Sequence, residues 1–165
     1  MRRVEPGPGQ ESVWDYPRPP RAEAVRRRAV VTHGGTVVAD TDDVVRVLET
    51  SHPPTWYLPR TAFAEGVLRP ARRRTVCEWK GTARYVDIVV PGVEPLRDVG
   101  WWYPEDDVSS VYPELADRVA LYPAPFDEIT LDGERVEPQP GGFYGGWITA
   151  DVVGPFKGSP GTWGW

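Results

Sequence analysis

Two β-branched runs split by a pair of glycines, AVVTHGGTVVAD at residues 29–40, place the strongest constraint on this chain. Valine and threonine are stiff at χ1 and suit a pleated strand, while Gly34-Gly35 accept the positive φ that a tight hairpin turn requires. The pattern recurs in TVCEW and TARYVDIVV around Lys80-Gly81, and in ITLDGERV around Asp132-Gly133. Between these hairpins lie further short strand signals: VVRVLET after a polar TDD turn, then TWYL, VGWWYPE and RVALYP. No segment sustains the spacing of a long amphipathic helix, and PRTAFAEG allows only a short helical turn opening at Thr61. The expected class is mainly β, with antiparallel, turn-rich and strongly bent sheets.

Composition sets the boundaries. The 165 residues include 19 prolines and 17 glycines, which concentrate toward the two ends and leave one core of ordinary domain size between them. Residues 1–28 read as a Pro/Arg-rich arm, 29–137 as the β domain, and 138–165 as a Gly/aromatic-rich extension. Disordered segments are poor in aromatics, whereas this extension carries Phe143, Tyr144, Trp147, Phe156, Trp163 and Trp165. It is expected to lie on the domain, its glycines letting the backbone approach closely.

Several function classes drop out. A formal net charge of −5 argues against a nucleic-acid partner, which needs a dense basic surface, so Arg26–Arg28 and Arg72–Arg74 read as solvated strand ends. One cysteine and two histidines neither form a disulfide framework nor fill a structural zinc site. Phosphate-loop and dinucleotide motifs are absent, so no cofactor and no metal is expected, and Asp40, Asp42 and Asp43 read as a solvated turn. The N-terminus lacks an apolar signal region and no window reaches membrane-span length, which leads to the expectation of a cytoplasmic protein without a membrane partner.

In the central hairpin, alternation puts Cys77 and Trp79 on one strand face and Val76, Glu78 and Lys80 on the other. In GWWYPE, Trp101 and Tyr103 share a face and Trp102 opposes them. A catalytic thiol needs a base or a positive field, which only His52 and Lys80 could bring to Cys77, and a buried small hydrophobe is the commoner fate of a single cysteine. Glu49 and Arg60 flank the SHPP break and suggest an ion pair closing it.

Three blocks taken together, RVLETSHPPTWYLPR, CEWKGTARY and GWWYPE, resemble the domain-of-unknown-function family 427 over about residues 29 to 136. The resemblance implies a β-tent: two antiparallel sheets pinned at one edge, an architecture similar to the thalidomide-binding domain of cereblon and the B-type methionine sulfoxide reductases. It also implies a ligand cleft near the aromatic hairpins. The matching positions are Glu49, His52, Tyr57, Arg60, Cys77, Trp79, Lys80, Gly81, Tyr85, Trp101 and Tyr103. Glu78, Asp106 and Asp107 stand where members often have proline.

The resulting expectation is a small-molecule-binding domain whose cleft is walled by Trp79, Trp101, Tyr103, Tyr57 and Tyr85. His52, Glu49, Arg60 and Lys80 would orient the ligand, with no committed catalytic residue. Two alternatives stand beside it. One is a small-substrate enzyme using Cys77 or His52, in line with the nucleotidyltransferase-like label of the family or with redox-type chemistry. The other is an interaction module whose Trp-rich tail docks on a partner or a second copy, giving a homodimer.

Overall fold

The computed structural model describes all of residues 1–165. In chain order the elements are β1 (Glu11–Ser12), the 3-10 turn η1 (Val13–Asp15), β2 (Arg21–His33), β3 (Thr36–Leu48), β4 (Thr55–Pro59) and η2 (Arg60–Ala62). There follow β5 (Leu68–Cys77), β6 (Gly81–Ile88), β7 (Leu96–Trp102), η3 (Pro113–Leu115), β8 (Arg118–Leu121), β9 (Glu128–Leu131) and β10 (Glu134–Arg135). The tail adds β11 (Glu137–Pro138), β12 (Trp147–Ile148) and β13 (Val152–Val153). Nine strands pair in the order β10-β9-β2-β3-β4-β8-β7-β6-β5, all antiparallel, and two two-stranded sheets, β1-β13 and β11-β12, lie beside them. The protein is all-β, as the periodicity indicates. Register shifts at Arg26/Ala29, Val31/Thr32, Pro70/Arg74 and Val86/Ile88 supply the bulges that bend such a sheet.

Both faces of the sheet are covered, and alternation decides which residue goes where. Val44, Trp56, Leu58, Val86, Val99, Val119 and Leu121 enter a core of 20 buried residues. Their strand neighbours Val45, Tyr57, Tyr85 and Ala120 enter a second core of 9 on the other side, together with Tyr103 and Leu115. Trp102 packs on the first core and Trp101 on the second, the opposition that alternation in GWWYPE requires.

Two readings of the sequence change here. β2 starts at Arg21, not Ala29, so the last eight residues of the arm, Arg21 to Arg28, are strand. The TDD segment is no turn: β3 runs through it without a break. The cause is cross-strand charge. Arg28 grips Asp40 through two bonds of 3.0 and 2.7 Å, Arg26 meets Asp42 at 3.0 Å, and Arg118 meets Asp43 at 2.9 Å. Arg27 joins Asp132 and Asp151 at 2.8 and 2.9 Å. Arg26 and Arg28 meet Asp42 and Asp40 across the β2–β3 ladder, while Arg27 and Asp43 find partners on other segments, which local composition alone does not reveal. Each exposed pair contributes at most about 1 kcal/mol, so their role is to set register more than to add stability.

The terminal segments dock on the domain and on each other. Glu11–Ser12 pairs in parallel with Val152–Val153, and Trp14 donates from Nε1 to the Pro155 carbonyl at 2.9 Å. Arg46 clamps Glu11 and Glu23. Trp147 of the tail is fully buried beside Trp56, donating from Nε1 to the Leu121 carbonyl at 3.0 Å and from its backbone to Pro54 at 2.8 Å.

The tail is therefore core, and a substitution series can measure this. Trp147→Ala removes a fully buried indole and is expected to cost about 3–5 kcal/mol in chemical denaturation. Trp163→Ala, at a ring 56% exposed, is expected to change stability by roughly 0.5 kcal/mol or less.

Candidate functional site

The β5–β6 hairpin begins the site. Cys77 pairs with Gly81, which leaves Glu78, Trp79 and Lys80 as the turn. Trp79 is thus not a strand residue sharing a face with Cys77; it stands on the hairpin tip, 38% exposed. Gly81 has φ of 118°, and a Cβ there would lie 2.2 Å from the Asp107 carbonyl oxygen. That close approach lets the 105–109 loop clamp the tip, with Ser109 N–H donating to the Lys80 carbonyl at 2.8 Å. The clamp turns the Lys80 side chain into the same cleft that Cys77 borders, although alternation along the strand had set the two on opposite faces.

The cleft, about 420 Å³, opens on the face of the second core. Of the residues singled out in the sequence, Glu49, His52, Cys77, Trp79, Lys80, Tyr85, Trp101 and Tyr103 line it. Two do not. Tyr57 is fully buried one layer down, its hydroxyl accepting from Trp101 Nε1 at 3.2 Å, so it positions the indole. Arg60 makes no ion pair with Glu49: the η2 turn carries it to the opposite face, where its guanidinium lies 4.3 Å from the Trp102 ring centroid. A planar cation stacked on an indole replaces the expected carboxylate partner.

The other wall comes from the tail. Gln139, Phe143, Tyr144, Gly145 and Lys157 line the cleft, with Tyr122 of the segment after β8 and Arg73 of β5. None of these was among the candidates, because the tail's rings signal docking without saying where. Tyr144 meets the His52 ring edge-on at 4.7 Å, and Lys157 Nζ lies 5.6 Å over the Tyr144 ring. Trp101 sits against Gly145 so closely that a Cβ would come within 2.3 Å of its Cη2. Trp101 also packs on Tyr122 at 4.9 Å and Tyr85 at 6.4 Å, and Arg73 lies 4.7 Å over Tyr85.

Gln139 fixes the chemistry of His52. Its carboxamide oxygen accepts from Gly146 N–H at 3.1 Å, and its nitrogen donates to the Lys157 carbonyl at 2.8 Å. The amide orientation is thereby set, so the same nitrogen approaches His52 Nδ1 at 2.9 Å as a donor. His52 is then the neutral tautomer with its proton on Nε2, directed to Glu49 at 3.7 Å. Burial, reinforced by the positive charges of Lys157, Lys80 and Arg18, depresses the imidazole to about 4. The cleft phenols go the other way: burial, with the neighbouring Tyr57, holds Tyr103 far above its ordinary value, and burial with Tyr85 does so for Tyr122. Lys80 feels burial first, which opposes its charge, but Tyr57, Cys77, Glu49 and Tyr112 outweigh it and raise its pKa, so it is a cation at neutral pH.

At neutral pH the cleft thus presents aromatic faces, protonated phenols at Tyr103 and Tyr122, the neutral His52 imidazole and the Lys80 ammonium. No cluster of three or more His, Cys, Asp or Glu side chains is arranged to hold a metal, and no helix is long and apolar enough to cross a membrane.

The depressed imidazole makes stability depend on pH. Below its unfolded value near 6.5 the unfolded chain takes up a proton that the native state refuses until about pH 4. Stability is present above pH 6.5 and is lost as pH falls toward 4, by about 3 kcal/mol from this group. Melting curves at pH 7 and pH 5 are expected to show a smaller drop for His52→Gln than for the parent protein.

Residues 21–132 match the family described as Domain of unknown function (DUF427), a span from the first residue of β2 to the turn before β10. No curated protein matches the chain. With more than half of its length matched, the chain belongs to the DUF427 family.

Proposed function

We propose that the protein binds a small molecule in the cleft between the β5–β6 hairpin and the tail. The observation that carries this reading is convergence: Trp79, Trp101, Tyr85, Tyr122 and Tyr144 come from separate segments and all border one space, alongside Lys80, Glu49 and His52. Core packing explains Tyr57 and Trp147, which are fully buried, and takes in Tyr85, but not Trp79, 38% exposed on the hairpin tip. A volume of about 420 Å³ lies within the roughly 300–1,000 Å³ of small-molecule pockets. Trp79 on the hairpin tip stands where a ring would close over a bound molecule.

The second reading, an enzyme, draws on Cys77, which borders the cleft among the residues that raise the Lys80 pKa. His52 adds little to it. Its Nδ1 is taken by Gln139, and a group depressed to about 4 is a weak base near neutral pH. Binding without turnover is the better-supported function, and Cys77 serves it as a wall.

Native mass spectrometry of the protein as purified identifies a retained small molecule. Trp79→Ala is expected to lower affinity for it about tenfold, one good stacking contact, with little change in melting temperature. Unchanged affinity would remove the ring-walled site. Cys77→Ser is expected to keep binding, whereas alkylating Cys77 in the native protein is expected to abolish it. A Ser variant that binds normally but has lost a measured turnover would favour the enzyme.

A further inference from the structure

The charges around the cleft do not cancel. Arg73, Lys80 and Lys157 border it against Glu49 and Glu78. Two of the cations are engaged: Arg73 lies over Tyr85, and Lys157 lies over Tyr144 while donating to the Trp165 carbonyl at 3.3 Å. Glu49 is beside His52 at 3.7 Å. The Lys80 ammonium lines the cleft with no ion pair and no hydrogen-bond acceptor, although its backbone is held firmly by the 105–109 loop. The surrounding Tyr57, Cys77, Glu49 and Tyr112 keep it a cation in spite of burial, and direct contact with an arriving anion gains more there than at an exposed lysine because less water screens it.

We propose that the ligand is a planar monocarboxylate, its carboxylate on Lys80 Nζ and its ring on the aromatic wall formed by Trp101 and Tyr144. This deepens the small-molecule reading and rests on it. A single unpaired ammonium suits a monoanion, since a dianionic phosphate would leave surplus negative charge near Glu49. Lysine is a point-charge partner, and the one arginine at the cleft, Arg73, is stacked on the Tyr85 ring. Tyr103 and Tyr122, kept protonated by burial, do not repel a carboxylate as phenolates would, the Tyr122 hydroxyl donating to the Phe143 carbonyl at 3.4 Å. The volume is ample for one or two fused rings.

The test is titration calorimetry on the full chain with benzoate, 1-naphthoate and indole-3-carboxylate, each against its uncharged primary amide. At least one acid is expected to bind tenfold or more tightly than its amide and to weaken as salt rises. Lys80→Met is expected to bring that acid to the affinity of the amide while leaving amide binding unchanged, and Lys80→Arg to keep the preference for the acid. Amide binding reports an intact cleft in each variant; if the Met variant does not fold, Lys80→Gln serves in its place. Equal binding of acid and amide, or a preference that survives Lys80→Met, overturns the carboxylate while the small-molecule cleft stands. If no acid and no amide binds, both readings fall.

Discussion

Nine strands hydrogen-bonded in one order expose two faces to cover, and this chain has no α-helix to lay on either. Most of what is unusual about the molecule follows from that constraint. Side-chain alternation fills both faces with Val, Leu and large aromatic residues, since rings bury more area per residue than any other side chain. The remaining cover is taken from the two ends of the chain. The arm contributes Val13 and Tyr16 to a small cluster with Leu48 and Val152, and the tail contributes Trp147 to the main core. The cleft lies where the β5–β6 hairpin and the tail stand apart over the second core.

The loop between β3 and β4 is where these parts meet. Ser51 donates its backbone N–H to Val13 of the arm at 3.0 Å and accepts from Lys157 of the tail at 2.9 Å. It does so at φ of 73°, a conformation that a non-glycine residue adopts only when its surroundings impose it. Next to it, His52 and Pro53 touch Tyr144, Gln139 and Gly146. A short segment that reads only as a break between strands is thus the junction of arm, tail and cleft, and Gln139 carries the polar half of that junction.

Local signals were legible and relations between distant segments were not. The turns at Gly34-Gly35 and Asp132-Gly133, the opposition of Trp101 and Trp102, and the docking tail all follow from alternation or backbone freedom within a few residues. Eight of the cleft residues were legible too, through the three family-like blocks. What failed depends on pairings between separate segments. The Asp40–Asp43 segment loses its turn-like appearance only once Asp40 and Asp42 face Arg28 and Arg26 across a ladder. Arg60 looks like a partner for Glu49 until a 3-10 turn carries it to Trp102. Trp79 looks like a strand residue until the turn is seen to hold three residues. Gln139, Tyr144 and Lys157 carry no motif, and their part in the cleft appears only when the tail is in place.

Gly145 has a consequence beyond packing. The family match ends at Asp132, yet the cleft wall that Trp101 abuts, and the glutamine that sets the His52 tautomer, lie after it. The matched span supplies a floor and one side, and the sequence after it supplies the other. Substitution of an exposed tail residue that borders the cleft, such as Phe143, would reshape that side without touching the nine-strand scaffold, much as a lock is rekeyed without replacing the door.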